Sequence, residues 1–204
     1  MKITKTTQSR LKDADFSNLV FGTQFSDHML IAEYSDGSWS EPEIKPYGPL
    51  SFTPAMHTLH YGQAIFEGQK AYYMENGEIG IFRPEANAKR LNHSARRMFM
   101  PEFPVEWFMD GIKALVDLDR EWVPKEADHS LYLRPFMFRS SEFVAARPSE
   151  KYTFCIITSP VGPYYAGDVK VKIEETFTRS AAGGVGSTKC AGNYGGAFFA
   201  TDQA

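Results

Sequence analysis

Long apolar runs are missing from this 204-residue sequence. No stretch approaches the ~20 residues a membrane-spanning helix needs. The amino terminus, Met1-Lys2-Ile3-Thr4-Lys5, leads into polar sequence without an apolar core segment or a small-residue cleavage site, so it does not read as an export signal. Cysteine is scarce. Cys155 and Cys190 are too few for a disulfide framework, and no CxxC pair or metal-spaced cluster exists. The histidines lack HExxH spacing; His57 and His60 stand three apart without a third ligand, so no metal site is expected. Charge of one sign is nowhere concentrated. The net charge is −3, with both signs spread along the chain, which removes the footprint of a nucleic-acid binder. A reduced, cytoplasmic protein with no nucleic-acid or membrane partner is the expectation.

What the sequence does have is a globular composition, 43% hydrophobic and 14% aromatic, enough for one large domain or one and a fraction. It also has one unusual segment, running from Gly183 to Gly196 with Lys189 alone among small residues. Glycines there allow positive φ and close approach to a ligand. Such a segment either cradles a phosphate or presents a reactive amine. A P-loop needs glycine directly before the lysine and Ser or Thr directly after it; here Thr188 precedes and Cys190 follows. The dinucleotide fingerprint fails too, because Lys189 stands where the third glycine belongs. Schiff-base chemistry remains. An amine forms an imine only when neutral, and desolvation favours the neutral form of a lysine.

The elements follow from period and punctuation. The first twenty residues are polar and read as a loose arm or a cap. Phe25 to Tyr34 reads as a strand, and Asp36-Gly37 and Asn76-Gly77 as hairpin turns, which makes the first eighty residues an antiparallel sheet. Pro84 opens a helix with Leu91, Ala95 and Met98 inward, and one of its arginines would suit a phosphate. A second helix spans Val105 to Trp122. Leu131 to Pro135 is a strand with Tyr132 and Arg134 on one face. Tyr152 to Thr158 is a central strand, Ser159 to Gly167 a linker, and Val169, Val171 and Ile173 mark a half-exposed strand. An apolar helix opening at Ala197 has no capping signal before Ala204. The chain is therefore expected to be truncated relative to its natural gene product.

Six blocks in one order carry a resemblance: Phe25 to Met29, Leu59 to Gly68, Phe82-Arg83-Pro84, Ser130 to Pro135, Gly162-Pro163-Tyr164, and Lys189 to Tyr194. Together they resemble the branched-chain amino-acid aminotransferases, fold-type IV pyridoxal-phosphate enzymes of aminotransferase class IV. The resemblance implies an α+β fold. Residues 1–160 would form the small domain, an antiparallel sheet with flanking helices. Residues 161–168 would be a linker, and 169–204 the first part of a large β-barrel-like domain. It implies that Lys189 forms the internal aldimine with pyridoxal 5'-phosphate, that Arg90 holds the cofactor phosphate, and that Tyr194 bonds the pyridine 3-oxygen. Tyr132 and Arg134 would stand at the substrate side. Phe25, Tyr61, Phe66 and Tyr164 would wall the aliphatic side chain.

The implied activity moves the amino group of Leu, Ile or Val to 2-oxoglutarate, giving a 2-oxo acid and L-glutamate, in a homodimer. The family's acidic partner of the pyridine nitrogen would lie past Ala204, so these residues alone are expected neither to retain cofactor tightly nor to transaminate. The alternatives are another class IV enzyme, such as a D-amino-acid aminotransferase or an aminodeoxychorismate lyase, or a folded fragment without chemistry.

Overall fold

Two positive-φ residues close the first hairpin. Asp36 and Gly37 have φ of 52° and 82°, the geometry of a two-residue turn whose twist matches that of its strands. They join β2 (His28–Ser35) to β3 (Ser38–Trp39), with Tyr34 opposite Trp39. Gly77, at φ 81°, turns β6 (Gln69–Tyr73) into β7 (Ile79–Ile81). The computed structural model describes residues 1–165 and 167–204, so Ala166 of the expected linker lies outside the described residues.

Of the two readings of the polar start, the docked cap holds and the loose arm does not. β1 (Lys2–Ile3) pairs parallel with β4 (Glu43–Pro46), which itself pairs with β2. The Thr6 N–H donates to His28 Nε2 at 2.9 Å. Ser9 Oγ and the Arg10 N–H donate to the two Asp27 oxygens at 2.6 and 2.7 Å. Burial pushes the Asp27 carboxyl up, and these bonds with the Arg10 charge more than offset it, so it titrates below the ordinary Asp value. His28 is held from behind by buried Asp119, whose oxygens meet its ring Nδ1 at 2.5 Å and its N–H at 2.9 Å. Polar residues failed to signal this docking because each partner lies far along the chain.

Two ten-residue strands, β8 (Ser130–Arg139) and β9 (Tyr152–Val161), form the centre of a sheet ordered β1-β4-β2-β9-β8-β6-β7, with β3 on β2 and β5 (Ala64–Phe66) on β8. β9 runs through Ser159 and Pro160, past the expected start of the linker. The expected strand at Val169–Ile173 does not form. Alternation supplies a face, but a strand also needs an edge to bond with; Val171 and Ile173 are 87% and 85% exposed. β5 and β6 keep one register along β8, Phe66 opposite Phe136 and Gln69 opposite Leu133. The ladder breaks between them at Glu67–Gly68, opposite Pro135. Pro135 accepts the Glu67 N–H at 2.7 Å but has no N–H to return. That gap sets the site described below.

Helices α2 (Pro84–Arg97) and α3 (Val105–Leu118) bury Leu91, Ala95, Phe108, Ile112 and Leu115, as their spacing predicts. α3 packs on β2 so closely that a Cβ on Gly111 would overlap Leu30. On this face Leu30, Phe154, Ile156, Leu133 and Met137 are fully buried. The short helices are α1 (His57–Tyr61), α4 (Gly192–Gly195) and α5 (Phe198–Asp202). Among the described residues no helix is long and apolar enough to cross a membrane. Both cysteines are free and buried.

Candidate active site

Lys189 is fixed through its backbone. The Phe66 N–H donates to the Lys189 carbonyl and the Ala191 N–H to the Ala64 carbonyl, both at 3.0 Å. Ile65 and Cys190 thus form an antiparallel bridge, which extends the sheet past β5 by one short segment. The Lys189 N–H donates to the buried Ser94 hydroxyl of α2 at 3.0 Å. Within the glycine-rich run only Gly183 takes a positive φ, 73°. Gly186 serves close approach instead, since a Cβ there would overlap Ser180.

The half-buried amine points at aromatic groups. Lys189 Nζ donates to Tyr194 Oη at 2.7 Å and lies 4.4 Å from the Phe66 ring centre and 4.8 Å from that of Tyr194. No carboxylate pairs with it among the described residues. Phe66 and Tyr194 tilt against each other at 4.8 Å. Arg134 crosses the Phe66 ring at 4.7 Å and donates from Nη2 to Tyr132 Oη at 2.9 Å. Alternation on β8 puts Tyr132, Arg134 and Phe136 on this side and Leu131, Leu133 and Met137 in the core.

Phe66, Tyr132, Arg134, Tyr164, Lys189 and Tyr194 line one cavity of about 1070 Å³. Phe21, Lys70 and Ile157, which the sequence does not single out, line it too. Phe21 stands edge-on to Tyr132 and Tyr164, at 4.9 and 5.4 Å; its signal was the apolar run Leu19-Val20-Phe21. Two residues stand apart from this cavity. Phe25 stacks on Tyr47 at 5.0 Å, and Tyr61 donates its hydroxyl to the Val144 carbonyl at 2.7 Å, lining a separate cleft with His57 and Arg139.

Gly68 faces Tyr132. A Cβ there would overlap the Tyr132 hydroxyl. Gly68→Ala should therefore lower stability by about 1–3 kcal/mol through overpacking, read as a lower urea midpoint. Because the clash is with the hydroxyl, adding Tyr132→Phe should recover part of the loss. No recovery would show that the ring, rather than its oxygen, sets the fit.

Arg90, on α2, does not line the cavity. Its Nε and Nη2 donate to Glu67 Oε1 and Oε2 at 2.7 and 2.6 Å. That hydrogen bonding raises its pKa above the ordinary arginine value against the pull of burial, with a smaller contribution from the Tyr194 phenol.

No family model matches the chain. It is 44% identical over 185 residues to branched-chain-amino-acid transaminase 1 of Bacillus subtilis, covering 88% of this chain and 52% of that protein. It is 41% identical over 199 residues to the branched-chain-amino-acid aminotransferase of Mycolicibacterium smegmatis, covering 95% and 54%. The chain is a homologue of the branched-chain-amino-acid aminotransferases. It spans about half the length of the curated relatives it matches. Solved aminotransferases of that name share its fold. The enzyme from Thermoproteus uzoniensis aligns with TM-score 0.66 at 22% identity over 87% of this chain and 56% of that one. The enzyme from Escherichia coli aligns with TM-score 0.56 at 19% identity over 87% and 54%. The α+β, fold-type IV expectation therefore holds.

Proposed function

We propose that this cavity is the pyridoxal-phosphate site of a branched-chain amino-acid transaminase, transferring the amino group of Leu, Ile or Val to 2-oxoglutarate. The observation that carries the reading is the Lys189 amine, on two aromatic faces and bonded to a phenol, inside an apolar-walled cavity. Two further solved branched-chain aminotransferase structures of this fold contain pyridoxamine 5'-phosphate and a phosphopyridoxyl-glutamate adduct, and the T. uzoniensis enzyme contains norvaline. The donors here fit such a cofactor: in the cavity an amine for an aldehyde and a phenol for a ring oxygen, and outside its lining the Arg90 guanidinium for a phosphate.

When bound, pyridoxal phosphate supplies an aldehyde that condenses with amines and a ring that delocalises negative charge. Lys189 Nζ is the amine offered to that aldehyde. When not so engaged, Lys189 Nζ would be the base that accepts a substrate's α-proton and the acid that returns one. Tyr194 Oη orients that amine and shares its proton. Arg90 suits a phosphate because a guanidinium presents parallel N–H donors. Arg134 offers a cation to a substrate carboxylate. Phe66, Phe136 and Ile157 provide apolar surface for a branched side chain, whose full burial contributes about 1.5–3 kcal/mol.

Two parts of the reading follow the homology. One is a homodimeric, cytoplasmic protein. The other is a boundary between a small domain and the start of a large one within residues 161–168. The test of function is a panel of amino donors with 2-oxoglutarate and added pyridoxal phosphate, following glutamate. Any turnover would overturn the expectation that these residues do not transaminate alone, and within it leucine, isoleucine and valine should outrun alanine, aspartate and D-amino acids. A preference for D-amino acids would overturn the substrate assignment in favour of another class IV enzyme.

A further inference from the structure

Glu67 is the most deeply buried carboxylate near the cavity, with no exposed surface. It sits in the break between β5 and β6, and it belongs to no step described above. Four donors converge on it. Arg90 supplies Nε and Nη2, Asn87 supplies Nδ2 at 2.9 Å, and the Gly68 N–H approaches Oε2 at 3.4 Å. Asn87 and Arg90 are three apart on α2, hence on one side of the helix. Asn87 also donates to the Gly68 carbonyl at 3.3 Å, tying the helix to the strand break.

Stability alone does not explain this arrangement. The Arg90 side chain is 55% exposed while that of Glu67 is 0%. A half-exposed ion pair adds little stability, and the carboxylate carries a desolvation cost that an apolar residue would not. What the pair does achieve is orientation. Both carboxylate oxygens grip one edge of the planar guanidinium, which fixes its plane and its rotation. The Nη1 end has no hydrogen-bond partner among the described residues.

We propose that Glu67 is the positioning residue for the phosphate subsite: it holds Arg90 by Nε and Nη2 so that Nη1 is presented to the cofactor phosphate. The inference rests on the assignment of Arg90 as the phosphate ligand. Glu67 itself does not line the cavity. It acts by removing the rotational freedom of a long side chain before the anion arrives, so less entropy is lost on binding.

The test separates the phosphate from the aldehyde. The full chain is titrated with pyridoxal 5'-phosphate and, separately, with pyridoxal, which has the aldehyde but no phosphate. Borohydride fixes the imine, and the half-saturating concentration is read at the Lys189 peptide by mass spectrometry. The wild type should prefer the phosphorylated form, and Arg90→Ala should erase that preference. Glu67→Gln should cut the preference about tenfold, the size of effect seen when an orienting partner is lost behind a ligand group, with pyridoxal labelling unchanged. Adding Glu67→Gln to Arg90→Ala should cost nothing further. Glu67→Asp, which keeps the charge but not the reach, should behave like Glu67→Gln.

Equal loss with both probes would show Glu67 to be structural and overturn the proposal, as would an undiminished phosphate preference. A wild type without any phosphate preference would remove the Arg90 assignment itself. A wild type unlabelled at Lys189 would remove the proposed function, and this inference with it.

Discussion

Lys189→Ala will abolish the borohydride-stable adduct of pyridoxal phosphate at the 189 peptide, while Lys70→Ala will leave it in place. Both lysines line the cavity, so exposure to the reagent does not separate them. Placement does. Lys189 Nζ is bonded to the Tyr194 hydroxyl and lies over two rings, and its backbone is tied to β5 and to Ser94. Loss of that amine removes the only group proposed to form the imine, so the expected effect is complete rather than graded. Adduct formation at the same peptide after Lys189→Ala would sink the assignment, and so would a larger loss from Lys70→Ala. Tyr194→Phe is the graded companion: the amine stays, the hydrogen bond goes, and labelling should persist more weakly.

How far this site was readable depends on the range of the interaction behind each part. The hairpins at Asp36-Gly37 and Asn76-Gly77 were legible because a tight turn's demand for positive φ is met locally, by both residues at Asp36-Gly37 and by the glycine at Asn76-Gly77. Tyr132 and Arg134 were legible as neighbours on one face, because the period of a strand is local. The lysine was legible from two failed phosphate patterns and the surrounding blocks.

Partners contributed by distant elements were not legible. Glu67 stood in one of the six blocks and Arg90 on the helix opened by Pro84, but nothing local says that a break opposite Pro135 turns the Glu67 carboxylate toward α2. The docking of residues 2–10 depends on Asp27, His28 and Asp119, which the chain brings together only by folding. The alternation at Val169, Val171 and Ile173 signalled a strand whose pairing edge is not supplied by the described residues. Phe25 and Tyr61 sat in blocks that resemble the family's, yet the structure places both outside this chain's cavity.

Phe154→Ala will cost about 3–5 kcal/mol of stability, the range for truncating a buried phenylalanine. Phe154 has no exposed surface. It stacks on Phe103 with ring centres 3.9 Å apart and meets Phe108 at 6.1 Å and Trp39 at 6.5 Å. On β9 it stands opposite Ala32 of β2 and Met137 of β8, so a cavity there is bounded by two strands and α3 and has little freedom to collapse. Strand alternation makes the experiment informative about function as well. Phe154 faces the helices, whereas Ile157, opposite Arg134, faces the ligand cavity. Phe154→Ala should therefore lower the urea midpoint steeply while the folded fraction keeps its half-saturating concentration for labelling at Lys189. Ile157→Ala should do the reverse, with a modest loss of stability and a weaker discrimination between leucine and alanine. If Phe154→Ala instead shifted the labelling titration as much as the midpoint, the two faces of β9 would not be separable, and the core could not be treated as a passive support for the site.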